Sequence, residues 1–597
     1  MNHSARLIAW QLIAVAVVAA IVLTGPARWA LCAVALAGAV LTTARWRHRW
    51  AYEWLRAGWE FRRASRDQGK PQRELPAVDV AEVRVRGGSK VALLHDGSGF
   101  AVIVSAEPAA DAPQSAGLPV TALASLMEPG DPVVSAVQFV VHADCVASDQ
   151  ESVAATVYRS LGHAAVPRSQ TTWVAIRHDP MASGYAVSAV GTPADVLASL
   201  GRTLAARGQR AVQLLTSHGL RAELLGADAA RAALDETLVT TGPAAHGEDD
   251  WLTAPDGPAA RWWSWDNRKT RHVTYRLWRW PAAGLGALHR DLTTMPAQSV
   301  TTAVTLTRVG DGRLAVDSTV RVAFDQENPP SRRDRRLRRA TGSSGASLVP
   351  LHGEHAAGVL ATLPLGREPR PPGRGPGARR AARPPVLADA IPVTVGGFVI
   401  GTEPGGAPVV VPLFRSAHGT RVCVAGHPAL SRLLTLRVLG AGARVQVITM
   451  RSAEWLRLRD HAGGPPDQMI VVQPGGPPPA AASRAAPWLV IDDTGAPPAA
   501  RGAAWQADVT ATSEVPVVPG ALSGLDAILF ERAGPAAEAA IAAAFGLDAA
   551  GRFALGAVPA GCLAVVRPGS ARVVQLLPDR SEQLAISASL GLPPARR

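Results

Sequence analysis

Two apolar runs open the chain. Leu7 to Thr24 is free of charge for 18 residues and is interrupted only by Gln11. At about 1.5 Å per residue it nearly crosses a hydrocarbon core of about 30 Å. Gly25-Pro26 breaks the run, and Trp29 to Ala44 then gives a second uncharged stretch of 16 residues. The pair predicts a two-helix transmembrane hairpin over residues 1–44. A cleaved signal peptide is the rival reading of the first run, but no clear A-x-A cleavage site precedes the second. Ala33, Ala37, Gly38 and Ala39 make the second run only weakly apolar and suit it to close packing on helices, here expected to be another protein's.

The next stretch, 45–75, places Trp46, Trp50 and Trp54 four residues apart among Arg45, Arg47, Arg49 and Arg56. That spacing predicts a juxtamembrane amphipathic helix with the tryptophans on one face. Two readings stand: a segment that lies on anionic lipid or docks a partner's helix, or an ordinary positive flank with aromatic anchors.

Over residues 76–327 strand-like and helix-like runs alternate and predict a layered α/β domain. KVALLH, the turn Asp96-Gly97-Ser98-Gly99 and FAVIV read as a hairpin. VVSAVQFVVH and TTWVAIR read as strands around a helix, and Pro193 to Ser217 as a long helix. Residues 328–390 are too rich in Arg, Pro and Gly to bury a core, and read as a linker. Residues 391–597 form a second α/β domain: a hairpin, then RVCVA, a helix from Pro428 to Leu439, ARVQVIT and WLVIDD. Strand, helix, strand implies parallel pairing with a right-handed crossover, a Rossmann-like frame. The expected fold class is thus a membrane protein with a transmembrane hairpin and two cytoplasmic α/β domains, the second a degenerate nucleotide-fold unit without a phosphate loop.

Length and composition agree with several domains, since 597 residues exceed one core and 47% of them are hydrophobic. The four cysteines are scattered and offer neither a disulfide framework nor zinc spacing. A net charge of +13 suggests nucleic acid until it is located. Arg45–Arg66, Arg332–Arg339 and Arg367–Arg383 each carry +5, together +15 and so more than the whole chain's excess of +13. The globular remainder is slightly acidic, which excludes a nucleic-acid surface. The Arg45–Arg66 flank carries seven arginines and the turn between the apolar runs only Arg28, so both termini and the bulk of the chain are expected in the cytoplasm.

The turn Gly426-His427-Pro428 follows a strand where a phosphate loop would lie, and Asp492 and Asp493 end WLVIDD where a magnesium-holding carboxylate would lie. A phosphate loop needs further glycines, a lysine for the β/γ-phosphates and a Ser/Thr for magnesium. No lysine follows Lys269, and Arg432 falls inside the helix. Nucleotide hydrolysis is therefore not expected, nor any cofactor, metal or catalytic residue. His352-Gly353-Glu354-His355 lacks a third ligand, Ser98 reads as a turn residue, and Trp262, Trp263, Trp265, Trp278 and Trp280 read as core or as a binding face.

The hairpin GGSKVALLHDGSGFAVIV, the strand VQFVVHA, TTWVAIRHDP and DNRKTRHVTYRLWRWP, following the two-helix start, resemble the EccE family of the actinobacterial type VII (ESX) secretion membrane complex. The resemblance spans Ile8 to about Phe324 and carries no catalytic motif. It implies a non-enzymatic assembly subunit of the cell membrane, beside EccB, EccC and EccD, with EccC as the ATPase. The alternative is a membrane-anchored nucleotide-binding enzyme or sensor that uses the second α/β domain.

Overall fold

A computed structural model describes residues 3–592 apart from 47–48, 68–77, 86–87, 110–114, 128–133, 147–151, 163–165, 181–192, 239–258, 268–269, 283, 296, 309–313, 326–336, 338–340, 343, 368–390, 395, 416–417, 485, 497–501 and 519. Of the 328–390 stretch read as a linker, 328–336 and 368–390 lie outside the described residues, but 344–367 packs on the first sheet. Ser347–Pro350 pairs with Thr270–Arg279, and Val349, Leu351, Val359, Leu363 and Leu365 are buried, so the apolar residues between the two arginine runs do join a core.

The N-terminal runs form helices His3–Val22 and Pro26–Thr43. Gly25 sits at φ +81°, where a side chain would be strained, and Pro26 starts the second helix with its φ already helical. The two helices touch at Gly38, where an added Cβ would lie 3.1 Å from Ile13 Cγ1. The small-residue stretch therefore packs on the chain's own first helix. Among the described residues one helix, Pro26–Thr43, is long and apolar enough to cross a membrane, and the apolar part of the first, Leu7–Val22, is shorter.

The juxtamembrane stretch differs from the helix expected over 45–75. Arg45–Trp46 and Arg49–Trp50 pair as a short antiparallel ladder, and the helix runs from Ala51 to Asp67. Its start is fixed locally: the Glu53 carboxylate accepts the Trp50 backbone N–H at 3.1 Å, and the Ala51 N–H donates to the Ala44 carbonyl at 3.0 Å. Trp46, Trp50 and Trp54 consequently do not share a helical face.

Next comes a 12-stranded, wholly antiparallel sheet. Its central strands, Leu314–Asp325, Ser299–Arg308, Ala136–Asp144 and Ser169–His178, are neighbours in that order. Helices Pro193–Ser217 and Gly284–Thr293 cover one face, filling it with Leu204, Leu215, Leu288 and Leu292. Helix Ala227–Leu238 and the segment around His355–Leu360 cover the other. Because both faces are covered, all nine residues of Ala136–Asp144 are buried, including Gln138 and His142. The Gln138 amide is matched: it donates to Ala361 O at 2.7 Å and accepts from Gly366 N at 2.8 Å. The Asp96 turn forms as read, with Asp96 Oδ1 accepting the Ser98 and Gly99 N–H groups, both at 3.0 Å.

A second sheet has ten strands. Its parallel part runs Ala527–Phe530, Thr420–Ala425, Gln506–Thr512, Trp488–Asp492, Arg444–Ile448, Met469–Val472. Beyond Ala527–Phe530 it continues antiparallel through Cys562–Arg567, Ser570–Gln575, Phe398–Thr402 and Pro408–Val411. Strand–helix–strand pairing is parallel but not adjacent: two strands lie between Thr420–Ala425 and Arg444–Ile448. A 12-residue helix, Ala429–Gly440, is about 18 Å long, enough to cross three strand spacings of about 4.8 Å. That helix is buried nearly all round, and Arg437 within it is held by Glu582 at 3.0 and 3.2 Å.

The two sheets interlock. Strand Ile391–Thr394 pairs with Ser115–Leu118 and places Ile391 and Val393 in the first sheet's core. Helix Val153–Ser160, from the first half of the chain, puts Ala154 and Tyr158 into the second sheet's core.

Candidate functional site

The carboxyl ends of the parallel strands bring together Gly426, Thr449, Asp492, Asp493 and Thr512, the edge where such sheets bind ligands. Gly426, at φ +126°, donates its N–H to Thr512 O at 2.9 Å. His427 Nδ1 accepts the Ala429 N–H at 3.1 Å, so an imidazole satisfies an amide at the helix start. One turn later the fully buried Arg432 turns back on its own helix: it donates to Pro428 O at 3.0 Å, pairs with the Glu454 carboxylate and lies 4.7 Å over the Trp455 ring. Both carboxylates are occupied as well. Asp493 accepts from Thr449 Oγ1 (3.1 Å), Arg451 (2.6 Å) and Trp455 Nε1 (2.7 Å), while Asp492 caps the turn by accepting Thr494 N and Oγ1. At this edge the buried arginine and both carboxylates are thus partnered by the chain's own groups.

A second cluster joins the sheets. Arg484, just before Trp488–Asp492, inserts into the first sheet, where Nε donates to Asp144 Oδ2 at 2.6 Å and Nη2 lies 3.7 Å from Glu236 Oε1. Arg168 donates to Arg484 O at 2.9 Å, Ser169 to Asp144 at 2.5 Å and Thr171 to Glu236 at 2.6 Å. Burial raises the Glu236 carboxyl above its ordinary range, against the pull of Arg484. Next to this cluster, directly opposed positions form a polar row across the sheet, from half-buried Thr171 through the buried His142, Thr301, Arg321 and Thr274. His142 Nδ1 lies 2.7 Å from Thr301 Oγ1, which accepts from Arg321 at 3.2 Å. Burial, with Arg484 and Arg321 nearby, holds His142 well below the ordinary histidine range, so its 3.8 Å approach to Asp144 is not an ion pair.

The juxtamembrane helix docks on a third cluster. Trp54 lies 6.2 Å from Trp262 and 5.7 Å from His352, and Phe61 meets Trp262 edge-on at 5.6 Å. Gly353, at φ +76°, lets the chain pass where a Cβ would meet the Trp262 ring at 2.5 Å. His352 stacks edge-on with Trp263 at 4.4 Å, His355 Nδ1 accepts the Thr274 N–H at 3.2 Å, and the two imidazoles meet edge-on at 5.8 Å. Among the described residues no group of three His, Cys, Asp or Glu converges as for a metal.

Of the residues singled out in the juxtamembrane stretch, Trp54 enters this aromatic contact. Arg45 stacks over Trp50 at 4.2 Å, and Arg56 pairs with Glu60 at 2.7 Å. Trp46 and Arg49 occupy the short ladder, and Arg47 lies outside the described residues. Sequence reasoning saw Trp262 and His352 as separate weak signals and missed Arg484 altogether. A lone arginine in an Ala/Pro-rich loop carries no signal, whereas the density of aromatics around Trp262 could have linked it to Trp54.

These features define a class first: an α/β protein of two interlocked sheets with an apolar helical start, in which the carboxylates at the carboxyl edge of the parallel strands are paired within the chain. A family model described as "Putative type VII ESX secretion system translocon, EccE" matches residues 166–277. Over this region the chain is similar to the EccE family, in agreement with its sequence resemblance. Among solved structures the chain is similar to VirB4 of Thermoanaerobacter pseudethanolicus, with 11% identity over 31% of this chain and 98% of that one. Its TM-score of 0.23 is too low to equate the folds. No curated protein matches the chain.

Proposed function

We propose that this chain is a non-catalytic assembly subunit of a type VII (ESX) secretion translocon. Its helical hairpin is set in the cell membrane, both termini and the two sheets are cytoplasmic, and it assembles beside EccB, EccC and EccD. The carrying observation is the EccE-family match over 166–277, because that region supplies both internal docking points: Trp262 for the juxtamembrane helix, and Thr171 with Glu236 for the second sheet. A hub that ties membrane helix to cytoplasmic sheets suits a scaffold. The experiment is affinity purification of the full chain from its own membranes in mild detergent, with mass spectrometry. Co-purification of the other type VII membrane subunits is the expected result; their absence sinks the reading.

The strand order of the second sheet favours one other reading, a nucleotide-binding enzyme or sensor. Pairing of Asp493 with Arg451 and of Arg432 with Glu454 argues against it. The full chain should show no ATP or GTP turnover above a buffer blank. Turnover that Asp493→Ala abolishes would establish the enzyme instead.

A further inference from the structure

We propose that the outward face of helix Ala51–Asp67 is a binding surface for anionic phospholipid headgroups, a proposal that rests on the membrane-anchored reading above. At about 100° per residue, Trp54, Ala57, Gly58 and Phe61 share one side of this helix, and that side is the docked one: Trp54 and Phe61 meet Trp262, Ala57 is buried, and a Cβ at Gly58 would lie 3.8 Å from the same ring. Leu55, Arg56, Trp59, Arg62 and Arg63 fall on the opposite arc, and all five are exposed. Leu55 at 62% and Trp59 at 61% are large apolar groups left exposed on the side opposite the docked one. Three arginines flank them, and the Arg63 guanidinium lies 5.4 Å from the Trp59 ring. Aliphatic and indole groups ringed by guanidinium fit the boundary between acyl chains and acidic headgroups, the indole at carbonyl depth and the arginines on phosphate.

Position in the chain selects lipid over a protein partner. The helix begins where the apolar helix Pro26–Thr43 ends, tied to it by the Ala51 N–H to Ala44 O bond of 3.0 Å. A helix anchored at that point starts at headgroup level. Its arginines match the negative surface of an anionic cytoplasmic leaflet, and its inner face is already held by the first sheet. The face that the tryptophan spacing pointed to is therefore the one turned inward, and Leu55 and Trp59 take the role expected of Trp46, Trp50 and Trp54.

The test uses the full chain in nanodiscs, with Cys32→Ser and Cys562→Ser removing the two cysteines that are not buried. Nitroxide labels are placed at Leu55→Cys and, separately, at Leu36→Cys on the apolar helix. Collision with oxygen, which partitions into lipid, is compared with collision with an aqueous nickel chelate. The Leu55 label should favour oxygen in phosphatidylcholine–phosphatidylglycerol discs and the nickel chelate in pure phosphatidylcholine. Arg56→Gln, Arg62→Gln and Arg63→Gln should each lower the docked-to-undocked ratio about fivefold. Preference for nickel in both lipids overturns the proposal, and so does equal insertion in both, which would mean that headgroup charge plays no part. A label reached by neither reagent means that protein covers the face, and also overturns it. The Leu36 label separates this failure from that of the anchoring: if it favours oxygen while Leu55 does not, the span stands and only the headgroup surface falls. If Leu36 itself favours nickel, both fall.

Discussion

The buried histidines are the residues most sensitive to conditions. Burial keeps His142 and His272 well below the ordinary histidine pKa of about 6.5, and lowers His289 to about 4. In the unfolded chain each would take up a proton near pH 6.5, whereas the folded state takes it up only at a much lower pH. The unfolded state therefore binds more protons below about pH 6.5, and stability falls as pH falls, by about 1.4 kcal/mol per pH unit for each such histidine. The full chain in nanodiscs should lose thermal stability between pH 7.5 and 5.5. His272 offers the sharper check, because neither of its ring nitrogens has a hydrogen-bond partner among the described residues and its ring lies 5.2 Å from Trp265. His272→Phe should leave stability near pH 7.5 little changed and flatten the acid slope; an unchanged slope would remove His272 from this account.

Among the elements, helix Ala51–Asp67 depends on contacts that its own sequence does not specify. Its first turn is set locally by Glu53, but its placement rests on Trp54 and Phe61 against Trp262, two aromatic pairs worth about 0.5–1.5 kcal/mol each. Trp262→Ala should raise amide exchange across this helix by roughly 5- to 150-fold while the central strands keep their protection. Exchange unchanged in the helix would show that the aromatic contact does not hold it. The same element explains why spacing misled: Trp46, Trp50 and Trp54 recur every four residues, yet the first two lie in the short ladder that precedes the helix. Periodicity reports a face only where the backbone is continuous.

At the scale of the whole molecule, two sheets far apart in sequence are joined by buried charge. Asp144 and Arg484 are 340 positions apart and meet at 2.6 Å. Removing one partner of a buried ion pair leaves the other uncompensated, at a cost of about 3–5 kcal/mol. Arg484→Ala should therefore destabilise the chain by about that amount and split its unfolding into two calorimetric transitions as the sheets uncouple. A single transition at the unmodified temperature would mean that the cores shared through Tyr158 and Ile391 suffice without the charges.

Much of the local structure was legible in the residues. The long helix starts and ends at Pro193 and Ser217 as its pattern predicts, the Asp96 turn closes the hairpin, and RVCVA, ARVQVIT and WLVIDD are buried parallel strands. Each follows from contacts within a few residues, from helical or strand periodicity, or from the unbroken apolar run of a strand covered on both faces. The absence of lysine after Lys269 likewise reads directly from the chain. Which strands are neighbours was not legible, nor that Arg432 and Asp493 are taken up by Glu454, Arg451 and Trp455, nor that Trp54 turns inward onto Trp262. Those outcomes depend on which surfaces meet once the chain is compact. A sequence window samples the backbone's local preferences and carries no term for a partner hundreds of residues away.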